Sequence, residues 1–130
     1  MRYLGIDYGA KNIGIAISDS SGAFAFPRDT IPNDEKVFVT LTRIVSLEEI
    51  DEVVVGDTLT LSGGANQVTV QADAFIAKLG QTIKTPIYRS REAWSTQEAA
   101  RFAPPGQKHN DSAAAAIILQ RFLDRKAKSE

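Results

Sequence analysis

The sequence contains no cysteine, a single histidine and no long apolar run, and each shortage excludes a class of protein. Without cysteine there are no disulfides and no thiolate metal sites, which suits a reducing compartment, and we expect the cytoplasm. A metal ion would need mainly oxygen ligands, which favours Mg²⁺ or Mn²⁺. No apolar stretch approaches the roughly 18 residues of a membrane helix, so no membrane partner is expected.

The chain of 130 residues has the length of one compact domain, and we expect residues 1–130 to form it. The net charge of −1 counts mildly against a nucleic-acid partner, because strong nucleic-acid binders are usually basic. The basic residues are nevertheless concentrated in the last third of the chain, where a local basic surface remains possible. They are Arg89, Arg91, Arg101, Lys108, Arg121, Arg125, Lys126 and Lys128.

The first quarter of the chain has the period-two pattern of strands. Residues 2–8 predict a strand, Ile13, Ile15 and Ile17 mark a second, and a short third strand is expected around residues 23–27. Turn-forming residues separate the three strands, so we expect an antiparallel meander.

The rest of the chain alternates between helical and strand patterns, and predicts a mixed α/β fold. The order indicates a five-stranded sheet, an antiparallel meander followed by parallel strands, with helices on both faces. A polar tail is expected to fray from about residue 125. The predicted elements are a helix over 34–47, a strand over 53–55, a helix over 67–80, a strand over 86–88, a short helix over 95–102 and a final helix over 111–126.

Asp7 is unusual because it is a carboxylate within an apolar strand, where it needs a partner or a metal. Alternation places Asp7 on one face with Gly5, and in a suitable register the small residues of the second strand extend that face. The alanine-rich final helix could pack there, which would bring its first residue, Asp111, towards Asp7. Two carboxylates at one sheet edge suit a hard cation. Alternatively, Asp7 merely ends a strand and Asp111 favours a helix N-terminus.

Several segments, in order and over nearly the whole chain, resemble the YqgF/RuvX family. The resemblance implies a ribonuclease H-like fold. It is carried by Leu4-Gly5-Ile6-Asp7-Tyr8-Gly9-Ala10-Lys11-Asn12 through Asp19, by Val54-Val55-Gly56, by Ser95-Thr96-Gln97-Glu98-Ala99, and by Asp111-Ser112-Ala113-Ala114-Ala115 through Leu119-Gln120.

The resemblance also implies a metal site. Asp7 matches the first carboxylate of the family, Asp111 the last, and Glu92 the middle one, and together they would hold two Mg²⁺ or Mn²⁺ ions. Asp57 stands where the family commonly has an apolar residue, and is either a replacement ligand or a solvated loop aspartate. Four side chains are candidates to contact nucleic acid, with solvated surface charge as the alternative for the last three: Lys11, Arg91, Lys108 and His109.

The function implied is a metal-dependent nuclease that matures the 5′ end of pre-16S ribosomal RNA, a monomer or weak homodimer that could act on ribosomal precursor particles. A Holliday-junction resolvase is the alternative. Arg91 and Ala93 replace an aspartate and an arginine of the family pattern, so a nucleic-acid or ribosome-assembly binding protein with weakened catalysis is a further alternative. The Gly5–Gly9 turn also resembles that of sugar kinases and actin-like ATPases, but those need two such domains to enclose a nucleotide.

Overall fold

A computed structural model describes residues 1–57, 67–90 and 111–129. The elements, in chain order, are β1 (Tyr3–Tyr8), β2 (Asn12–Ser18), β3 (Ala25–Pro32), α1 (Val37–Leu47), β4 (Glu52–Asp57), α2 (Gln67–Thr82), β5 (Ile87–Ser90) and α3 (Asp111–Ser129). The short helix predicted over 95–102 and most of the loop predicted after Gly56 lie outside the described residues.

The five strands form one sheet in the order β3-β2-β1-β4-β5. The strand β1 pairs antiparallel with β2, which pairs antiparallel with β3, whereas β4 is parallel to both β1 and β5. The predicted antiparallel meander followed by parallel strands is therefore confirmed, with β1 at the centre.

Helices cover both faces of the sheet, as predicted. On one face, the branched side chains of β1, β2 and β4 form a core with Val37 and Leu41 of α1 and with Phe75 and Leu79 of α2. On the other face, α3 packs Ala115, Ala116, Leu119 and neighbouring apolar residues against a flatter surface. The sheet is thus buried between two helical layers. Within the described residues no helix has the length and apolarity to cross a bilayer.

The third strand is longer than its sequence indicated. It was expected around residues 23–27 but extends over Ala25–Pro32, with an irregularity in its pairing opposite Ile15 and Ala16. Most of this edge strand is exposed, so Asp29 and Thr30 carry no apolar alternation although they pair with Ile15 and Gly14 of β2. Apolar and polar residues alternate along a strand only where one of its faces is buried. The exposed part of β3 lacks this signal, so the predicted strand was too short.

The end of the chain also differs from the prediction. The tail expected to fray from about residue 125 is helical through Ser129. The side chain of Lys126 ties this last part of α3 to the sheet, because its Nζ donates to the Tyr3 hydroxyl at 2.5 Å and lies 3.6 Å from Glu52 Oε2.

Candidate active site

Asp7 lies in the central strand β1, near its carboxyl end, and is only 7% exposed. It pairs with Gly14 of β2 on one side and with Gly56 of β4 on the other. The two residues that pair with Asp7 are therefore glycines, which have no side chains. A carboxylate buried in this way costs free energy unless hydrogen bonds, a counter-charge or a metal compensates it.

The glycines of this face let α3 approach the sheet closely. A Cβ added at Gly5 would lie 2.7 Å from Leu119 Cβ and 3.0 Å from the Ala115 carbonyl oxygen. A Cβ added at Gly56 would lie 2.3 Å from Ile118 Cδ1. The helix thus occupies the volume that side chains at these positions would need, which confirms the predicted packing of α3 on a face of small residues.

The direction of α3 places its first residue at the same edge as Asp7. Phe122 and Lys126 contact Tyr3 near the start of β1, whereas Ala115 and Leu119 lie against Gly5. The helix therefore runs antiparallel to β1, and one further turn, about 5.4 Å, corresponds to about two strand residues. That step leads from Gly5 to Asp7 on the strand and from Ala115 to Asp111, where α3 begins.

The remaining predicted site residues are only partly described. Lys11 is exposed in the turn between β1 and β2. Asp57 is the last residue of β4 and pairs with Tyr8, one step beyond the Asp7–Gly56 pair. The other candidates lie outside the described residues: Glu92, Arg91, Lys108 and His109. Within residues 1–57, 67–90 and 111–129 no group of three His, Cys, Asp or Glu residues could hold a metal ion.

Asn33, which sequence reasoning did not single out, holds the turn that follows Asp7. Its side-chain Nδ2 donates to the Gly9 carbonyl at 2.9 Å and to that of Ala10 at 3.4 Å. Its backbone N–H donates to the Lys11 carbonyl at 2.9 Å. The turn is tight, since a Cβ on Gly9 would lie 2.5 Å from the Asn12 carbonyl oxygen. An asparagine after a strand is common in turns, so the sequence alone carried no specific signal.

Asp7 is the type of ligand that a hard divalent cation requires. Asp7 is a buried carboxylate, and the helix that begins with Asp111 reaches the same edge of the sheet. Carboxylate oxygens are the ligands that Mg²⁺ and Mn²⁺ prefer. The N-terminal end of α3 also brings partial positive charge there, which favours carboxylates and phosphates.

Sequence comparison finds a matching family and similar proteins. The sequence pattern of the RuvX family, described as Holliday junction resolvase, matches residues 1–125. A protein of Lawsonia intracellularis named "Putative pre-16S rRNA nuclease" is 36% identical, and the alignment covers 96% of this chain and 94% of that protein. A protein of Nitratidesulfovibrio vulgaris with the same name is 38% identical, with 95% and 94% covered.

Solved structures share the fold. RuvC of Thermus thermophilus in complex with a Holliday junction substrate superposes with a TM-score of 0.68 at 12% identity, covering 98% of this chain and 96% of that one. The Holliday junction resolvase of fowlpox virus gives a TM-score of 0.60 at 14% identity, covering 96% and 99%. The predicted ribonuclease H-like fold is therefore confirmed. The chain belongs to the RuvX family of nucleases, hydrolases that act on phosphodiester bonds.

Proposed function

We propose that this protein cleaves the precursor of 16S ribosomal RNA in a metal-dependent reaction, with Asp7, Glu92 and Asp111 as the catalytic carboxylates. The observation that carries the proposal is the buried Asp7 carboxylate at the edge where α3 begins. Mg²⁺ or Mn²⁺, bound by these three residues and with Asp57 as a candidate fourth ligand, would lower the pKa of the attacking water and stabilise the leaving oxygen.

The reaction breaks one P–O ester bond of the backbone, and water supplies the oxygen and the protons. The backbone at Asp7 is fixed, because its strand is paired on both sides. Lys11 is exposed in the turn that follows β1, the strand of Asp7, and we expect it to contact a phosphate of the substrate. Arg91, Lys108 and His109 complete the proposed nucleic-acid contacts.

RNA is favoured over branched DNA by the names of the curated relatives, which are more than 30% identical over nearly the full chain. We further propose that the protein is one domain, acts in the cytoplasm on ribosomal precursor particles, and functions as a monomer or weak homodimer. A junction resolvase would instead need a symmetric dimer to cut two strands.

The test compares two substrates with the wild-type protein in Mn²⁺: a precursor 16S RNA carrying its 5′ leader, and a four-way DNA junction. We expect the leader to be removed and the junction to remain intact. Faster cutting of the junction would favour the resolvase alternative. Binding of the RNA without cleavage of either substrate would favour the binding-protein alternative, in which Arg91 and Ala93 reflect lost catalysis.

Asn33 should matter for cleavage through the turn that it holds. Asn33→Ala removes the donor to two backbone carbonyls, and we expect kcat/KM for RNA cleavage to fall about fivefold to tenfold, with a stability loss of about 1 kcal/mol. Asn33→Asp should be no better, because a carboxylate cannot donate to these carbonyls. Cleavage rates and thermal unfolding check this, and unchanged kinetics in both variants would refute the role.

A further inference from the structure

We infer that the outer edge of β3 is closed to the addition of another strand, and that Gln120 of α3 caps the most apolar part of this edge. Among the described strands, β3 is the last one on its side of the sheet, so one row of its backbone groups faces away from β2. Such a row can pair with a second copy of the chain, which is a common route to aggregation. The inference is independent of the catalytic assignment.

The segment that leads into β3 is the part of the edge most prone to such pairing. Residues 23–26 consist only of alanine and phenylalanine. Phe24 is 62% exposed and Phe26 is 57% exposed, so both aromatic rings are accessible to another molecule. An exposed, apolar and uncharged segment at the edge of a sheet is an aggregation hazard. The backbone of this segment therefore needs protection.

The register of β2 and β3 shows which residues direct their N–H groups outward. In an antiparallel ladder, hydrogen-bonded and non-hydrogen-bonded pairs alternate, and residues of the second kind direct their backbone groups away from the partner strand. The Asp19 N–H donates to the Phe24 carbonyl at 3.0 Å, and the Asn33 N–H donates to the Lys11 carbonyl at 2.9 Å. Phe24 and Asn33 therefore face inward, and alternation from these two residues directs four others outward: Ala25, Pro27, Thr30 and Pro32.

None of these four outward-facing residues offers a free N–H group. Two of them are prolines, which have no N–H. The Thr30 N–H donates to Oδ1 of the neighbouring Asp29 at 2.8 Å. The Ala25 N–H donates to Oε1 of Gln120 at 2.9 Å. An added strand would find no donor at any of these positions.

The irregularity in the middle of β3 interrupts the edge further. Ile15 pairs with Asp29 and Ala16 with Pro27, so Arg28 is an additional residue without a partner of its own in β2. Its guanidinium extends to Glu48 after α1, with Nη2 at 2.8 Å from the carboxylate oxygen. A bulge and a charged side chain are both features that prevent pairing at a sheet edge.

Gln120 occupies the place of a residue in a neighbouring strand. Its Oε1 accepts from the Ala25 N–H, and its Nε2 donates to the Ala23 carbonyl at 3.0 Å. A single residue of an added parallel strand would bind the same two backbone groups. The Nε2 also donates to Asp124 Oδ1 at 3.0 Å, one turn further along α3, which fixes the orientation of the amide. Gln120 ends the last motif of the family resemblance, and the catalytic proposal gives it no role.

The alternative is that Gln120 only holds α3 against β3. The two roles differ in what a substitution changes. If Gln120 only holds the helix, its loss lowers the free energy of unfolding and folded molecules stay separate. If Gln120 caps the edge, its loss makes folded molecules associate.

The experiment measures self-association by sedimentation velocity over a wide range of protein concentration, for Gln120→Ala, Pro27→Val and the double variant. Gln120→Ala frees the Ala25 N–H, and Pro27→Val adds an outward N–H without changing α3. Each opened donor should raise the association constant about fivefold, so we expect the double variant to exceed the wild type at least about tenfold. Pro27→Val alone keeps the test decisive if Gln120→Ala does not fold.

Hydrogen exchange identifies the backbone groups that take part. In dilute solution the Ala25 N–H should exchange at least about tenfold faster in Gln120→Ala than in the wild type, because its acceptor is lost. At high concentration, association of the opened variants should slow exchange at Ala25 and at position 27. Association that leaves these amides unprotected would mean that the exposed phenylalanine rings pack together, and would overturn the inference.

Gln71→Ala is the matched control, because Gln71 is an exposed glutamine of α2, which packs on the opposite face of the sheet from α3. It should change neither the association constant nor the exchange at Ala25. Opened variants that remain folded but associate no more strongly than this control would overturn the inference. A wild-type protein that associates with protection of the Ala25 N–H would do so as well. Thermal unfolding of each variant identifies any association that comes from loss of the fold.

Discussion

Asp7→Asn should reduce precursor RNA cleavage by more than about 100-fold while leaving the protein at least as stable as the wild type. Residues that only orient metal ligands typically contribute 10- to 100-fold, and a direct ligand should contribute more. The substitution keeps the size of the side chain but removes a charge from a site that is 7% exposed. Asparagine keeps one side-chain oxygen that can accept the same hydrogen bonds, and it removes the free-energy cost of burying a charge, so the unfolding temperature should not fall.

Cleavage rates in Mn²⁺ measure the catalytic effect of Asp7→Asn, and thermal unfolding in EDTA measures its effect on stability. Glu35→Gln is a suitable control, because Glu35 is an exposed carboxylate just before α1 and should affect neither quantity. A large loss of stability in Asp7→Asn with cleavage retained per folded molecule would mean that Asp7 is a structural carboxylate and not a catalytic one.

Gly5→Ala should destabilise the protein by about 1–3 kcal/mol, because the added Cβ would overlap with α3. The nearest atoms are Leu119 Cβ at 2.7 Å and the Ala115 carbonyl oxygen at 3.0 Å, neither of which lies at the flexible end of a side chain. The helix itself must therefore shift. Since α3 begins with Asp111, we expect cleavage to fall together with stability.

Gly80→Ala makes the same chemical change but should increase the free energy of unfolding. Gly80 lies on the exposed side of α2, and its added Cβ would meet only Ile87 Cδ1, at an ordinary 3.9 Å. Alanine is the better helix former, so this variant should gain about 0.5–1 kcal/mol. Chemical denaturation of both variants measures the difference. Equal stabilities for Gly5→Ala and the wild type would refute the close packing of α3 on β1.

Much of the fold could be predicted from the sequence because its strongest patterns are local. The isoleucines of β2 alternate strictly, and the Ala113–Ala116 run indicated a helix that could lie close to a sheet. Both predictions depend only on residue size and period, and the sheet order and α3 packing agree with them. The second half of β3 was missed because its residues are exposed on an edge strand and lack an apolar face.

Only those parts of the candidate site that lie in sequence motifs could be predicted. Asp7 was conspicuous because it interrupts an apolar strand. The contact between Tyr88 and Phe122 was not, because it forms where an edge strand meets the flank of a helix that starts more than twenty residues later. Asn33 likewise acts through backbone carbonyls of another turn, and no side-chain pattern in the sequence reports such bonds.

The most direct test is a crystal structure of the wild-type protein soaked in Mn²⁺, with an anomalous difference map to locate the ion. The predicted result is a peak coordinated by a carboxylate oxygen of Asp7, with oxygens of Asp111 and Glu92 in the same coordination sphere. A Mn²⁺ ion bound elsewhere, with the Asp7 carboxylate too distant to coordinate it, would contradict the assignment.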